Sequence, residues 1–103
     1  MSDNTKDKAF LDLADQFIAL ANNCSESIDR GTVSAAFLYA AARFNTYVVA
    51  TSAPDAQTFS SYQPKAMAYF QDEYKKTLNE HFADYEENFD IYMTTDNSGN
   101  TLN

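Results

Sequence analysis

The chain has 103 residues, 45% of them hydrophobic and 15% aromatic, with a formal net charge of −8. That composition supports a folded core and excludes a disordered chain. The acidity excludes wrapping a nucleic-acid backbone or docking on anionic lipid, both of which need clustered Lys and Arg.

The expected fold class is all-α: three long antiparallel helices in a bundle, with a short helical turn between the second and third. Only two prolines and two glycines punctuate the chain, which favours long helices. Residues 1–6 are expected to be a flexible lead-in, residues 7–93 a single helical domain, and residues 94–103 a flexible tail without periodic apolar signal. A domain of this size buries a smaller fraction of its surface than a large one and has a marginal core unless it oligomerises. The N-terminus MSDNTKDKAF starts acidic and mixed, unlike a signal peptide, so the expected location is cytoplasmic.

The first helix is predicted from about Asp7 to Ile28, with Asn4 as a candidate cap and Asp7 an acid in its first turn. Phe10, Ala14, Phe17, Ala21, Cys24 and Ile28 share one face, and Asp12, Asp15, Gln16, Asn22, Asn23 and Glu26 the other. Cys24 is the only cysteine, so neither an intrachain disulfide nor a cysteine-based zinc site is available. Its place on the apolar face assigns it to packing. In the turn Asp29–Thr32, Gly31 is expected to close the first helix in the left-handed conformation, and Thr32 to cap the second.

The second helix, Val33 to about Ser52, is apolar on two sides. Val33, Phe37, Ala40, Phe44, Tyr47 and Val48 form one stripe; Ala35, Leu38, Ala42 and Val49 form another. A helix apolar nearly all round needs cover nearly all round. Phe37, Phe44 and Val48 are assigned to the intrachain core. Leu38, Ala42 and Val49 are placed under the 53–63 crossing or at a subunit interface. Arg43 and Asn45 interrupt this stretch: Arg43 is expected to pair with a carboxylate, and Asn45 to make an interfacial or buried amide bond. Tyr39 lies off the main stripes and, with Leu38, Ala42, Arg43, Asn45 and Val49, completes the candidate interface residues. The run is short for a membrane span and carries Arg43 and Asn45 at its centre.

Residues 53–63 read as a mostly irregular crossing with one or two helical turns, and Pro64 as the opening of the third helix, which runs to about Tyr92. Met67, Phe70, Tyr74, Leu78, Phe82, Tyr85, Phe89 and Tyr92 hold its apolar face. Asp72 and Lys76 stand in favourable i,i+4 order.

No constellation specifies a reaction. His81 is the single histidine and has Asp84 three residues on, but no nucleophile stands beside it. Core-boundary packing explains His81 better than catalysis, and one histidine cannot make the usual zinc sets. Arg43, Tyr74 and His81 form a weak pocket candidate, to be judged on whether they converge. There is no glycine-rich phosphate loop, CxxC or HExxH. No catalytic, metal or cofactor residues are therefore assigned, and no cofactor is expected.

Three stretches, FIALAN (17–22), RGTVSAAFLYAAARFN (30–45) and YFQDEYKKTLNEHFADYEENFDIY (69–92), resemble DUF3144, a family of small bacterial proteins of unknown function. The resemblance covers roughly residues 8–93, with AAARFN (40–45) among its most specific parts. It implies a helical, cytoplasmic, bacterial protein and carries over no functional residue; His81 lies outside its pattern.

The function expected is protein–protein contact, as a homodimer or with another protein partner, with no direct nucleic-acid or membrane binding and no enzyme activity assigned. A nucleic-acid-mimicking acidic protein that binds a basic protein is the first alternative. A small-molecule binder or enzyme around Arg43, Tyr74 and His81 is the second.

Overall fold

The computed structural model describes residues 7–96, with side chains to residue 94. Four helices follow one another: α1 (Lys8–Cys24), α2 (Arg30–Thr51), α3 (Ala56–Glu87) and α4 (Phe89–Asp96). Among the described residues there is no strand. The described residues fall into two compact units, 7–40 and 41–96.

In the first unit, Asp7 is the N-cap of α1 and accepts the Phe10 amide at 2.9 Å. A short side chain just outside the helix can satisfy such an orphan donor, whereas an acid inside the first turn cannot do so as directly. Asn4, the other candidate cap, lies outside the described residues. The helix stops at Cys24 rather than Ile28. There the Ser25 amide and hydroxyl both bond the Ala21 carbonyl, and the Glu26 and Ser27 amides bond Asn23 and Cys24. These i→i+3 bonds tighten the last turn and consume carbonyls that a longer α1 would use.

The start of α2 departs from the expectation at the Asp29–Thr32 turn. Asp29 is the cap: its carboxylate accepts the Thr32 amide at 2.9 Å and the Thr32 hydroxyl at 2.6 Å. Gly31 is helical, inside the first turn, and Thr32 serves the cap instead of being it. Asp is at least as strong a cap as Thr, and moving the start three residues earlier adds a turn to the helix.

In the second unit α2 ends at Thr51, where the Thr51 and Ser52 hydroxyls bond the Val48 and Val49 carbonyls. The irregular crossing and the Pro64 start are both replaced by one helix. Asp55 accepts the Thr58 amide at 2.8 Å, and α3 runs unbroken from Ala56 with Pro64 in its interior. Proline's fixed φ is compatible with a helix, so the early cap prevails over the loss of one backbone bond. The third predicted helix is also divided at Asn88, and α4 takes in Thr94, Thr95 and Asp96 of the expected tail. Residues 97–103 lie outside the described residues.

The helix pair that packs closely is α3 with α4, inside the second unit. The expected antiparallel packing is not formed within either unit. α1 does not pack on the Arg30–Ala40 part of α2, and the Ala41–Thr51 part does not pack on α3. No described residue is buried; Phe37, Phe44 and Val48, assigned to an intrachain core, are exposed.

Candidate interaction surface

Helical periodicity gathers apolar side chains into faces, and each long helix leaves its face open. On α1, Phe10, Phe17 and Leu20 are exposed; on α3, Met67, Tyr74 and Phe82. On α2, Tyr39 is 73% exposed, Phe44 63% and Tyr47 60%. The Phe44 and Tyr47 rings meet at 5.9 Å with a tilt of 39°, so they present one aromatic surface.

The candidate interface residues do not form one class. Leu38, Tyr39 and Ala42 are exposed, whereas Asn45 and Val49 are half-buried. Arg43 is exposed and forms no ion pair among the described residues, so its expected carboxylate partner is not found. An exposed guanidinium remains hydrated and needs no buried partner. The Phe37–Phe44 side of α2, which periodicity assigns to the interior, is open as well: Phe37, Phe44 and Val48 are all exposed.

Arg43, Tyr74 and His81 do not converge. All three are exposed, and the part of α2 that carries Arg43 does not pack on the helix that carries Tyr74 and His81. A shallow depression of about 220 Å³ on α3 is lined by Asp72, Glu73, Lys75, Lys76 and Asn79, none of them a member of that triad. Within it Lys76 pairs with Glu73 at 3.1 Å, in place of the Asp72 partner read from spacing. The hydrogen bond to Glu73 raises the Lys76 pKa. Among the described residues no three His, Cys, Asp or Glu side chains gather as a metal-binding group.

One cluster was missed. Tyr92 donates its hydroxyl to both Asp84 carboxylate oxygens, at 3.1 and 3.0 Å, and the Asn88 amide nitrogen reaches the Asp84 carbonyl and carboxylate. The Tyr85 and Tyr92 rings meet at 4.7 Å. Hydrogen bonding to Asp84 raises the Tyr92 pKa, and burial adds to it. The signal was present as an Asp-Asn-Tyr series at four-residue spacing, one helical face. Its chemistry is that of a clasp, holding α4 to the end of α3.

No described helix is long and apolar enough to cross a membrane. A family model described as "Protein of unknown function (DUF3144)" matches residues 10–86. No curated protein matches the chain. Among solved structures, the NMR structure of the protein NB7890A from Shewanella sp. is similar at 36% identity and a TM-score of 0.70. The similarity covers 90% of this chain and 98% of that one. The helices and their exposed apolar faces are thus features of a chain that belongs to the DUF3144 family.

Proposed function

We propose that this chain acts through protein–protein contacts as a homodimer, in which helices of two copies complete the antiparallel bundle that neither unit forms by itself. The observation behind this reading is the amount of apolar surface left open. Among the described residues, 22 large apolar side chains are exposed, on average by about half. At about 200 Å² for a side chain of this size, that is on the order of 2,000 Å² per chain. No described residue is buried, so the apolar faces of the helices call for cover. Obligate homodimers bury about 2,000–5,000 Å² in total, which two such surfaces supply.

A second copy is the occupant that matches a requirement shared by every long helix, because it is present whenever the chain is. The alternative of an enzyme pocket lacks converging groups. Size-exclusion chromatography with light scattering tests the reading: a chain of 11.6 kDa should elute with a mass of roughly 23 kDa. A mass of one chain at 100 µM, with full helicity, would sink it.

A further inference from the structure

One apolar stripe of α2, exposed except at the half-buried Val33, reads the same from both ends. Val33, Phe37, Ala40, Ala41, Phe44 and Val48 fall within an arc of about 100° at the helical repeat. Their order, Val-Phe-Ala-Ala-Phe-Val, is symmetric about the peptide bond between Ala40 and Ala41. That bond is also the midpoint of α2, Arg30–Thr51. The stripe lies along a single continuous helix, so its register follows from helical geometry alone.

A two-fold contact requires a self-complementary surface, because each patch meets its own copy with residue i on j and j on i. In an antiparallel helix pair centred on Ala40–Ala41, Phe37 of one chain faces Phe44 of the second. Val33 then faces Val48, and alanine faces alanine at the axis. The alanines let the helices approach toward the short end of the usual separation of about 8–10 Å, with an aromatic pair on either side.

Charge points to the same place. A chain of net charge −8 repels its copy, yet between Asp29 and Asp55 it carries no carboxylate, only Arg30 and Arg43. We infer that two copies dock along this stripe, α2 against α2, antiparallel about a two-fold axis between Ala40 and Ala41. The inference rests on the homodimer reading and adds where, and in which direction, the copies meet.

Cysteine pairing tests it. In a Cys24→Ser background, Val33→Cys and Val48→Cys chains with different tags are made singly and co-expressed, then oxidised. In the proposed dimer the two Val33 positions lie about 22 Å apart along the axis at 1.5 Å per residue. A disulfide needs Cα atoms about 4.4–6.8 Å apart. The expected result is a mixed Val33→Cys/Val48→Cys disulfide in at least about ten-fold excess over the self-linked product of either variant. Self-linked products in equal or greater yield, or no disulfide from a sample that light scattering shows to be dimeric, would overturn the α2 docking and leave the homodimer standing. A monomer by light scattering would overturn both.

Discussion

Asp29 and Asp55 start α2 and α3 in the same way, each accepting the amide of a threonine three residues on. The Thr32 hydroxyl and then its amide lower the Asp29 pKa from 3.8; the Thr58 amide is the main cause at Asp55. Because the folded value is the lower one, the stabilisation is present above the unfolded pKa and is lost as pH falls through the folded one. Asp55→Ala should therefore lower the melting temperature by roughly 4 °C or more at pH 7. The gap between variant and parent should narrow by pH 3, read by circular dichroism melts. Tyr92 has the opposite sign. Its pKa is raised above 10.0 by Asp84, so the clasp is intact below the ordinary tyrosine range and is lost as pH rises through the folded value. Tyr92→Phe should speed hydrogen exchange in α4 at neutral pH and remove the alkaline step in α4 exchange expected of the parent chain.

At the scale of elements, the predicted helices were legible because a 3.6-residue apolar period and a capping side chain are local signals. Phe10, Phe17 and Ala21 marked α1, and the Phe70–Tyr74–Leu78 run marked α3. The errors were also local. Pro64 was read as a start because proline most often opens a helix, but Asp55 had already supplied a cap nine residues earlier. An interior proline removes one backbone bond and crowds the preceding carbonyl, at a cost of about 3 kcal/mol. Pro64→Ala should accordingly stabilise the chain by about 1–3 kcal/mol in urea denaturation, with unchanged helix bounds. A lower urea midpoint would mean that a proline-induced bend is needed for packing. The Lys76–Glu73 pair shows a different limit: i,i+3 and i,i+4 partners are both within reach, and rotamers decide between them.

For the whole molecule, net charge and open apolar surface act against each other. Two copies at −8 each repel over a distance that salt shortens, to about 3 Å at 1 M from about 30 Å at 0.01 M. The proposed dimer should therefore tighten several-fold between low and high salt in sedimentation equilibrium, opposite in sign to a contact made by ion pairs. The sequence by itself determined that the chain is helical, where apolar faces lie, and that α2 is apolar on two sides, since each follows from periodicity within one segment. Only the tertiary structure decided that Phe37, Phe44 and Val48 are open, that Arg43 has no carboxylate partner among the described residues, and that Asp84 clasps Tyr92. Periodicity says which side chains share a face. What covers that face depends on which segments pay the entropy of docking on it, and no single segment contains that information.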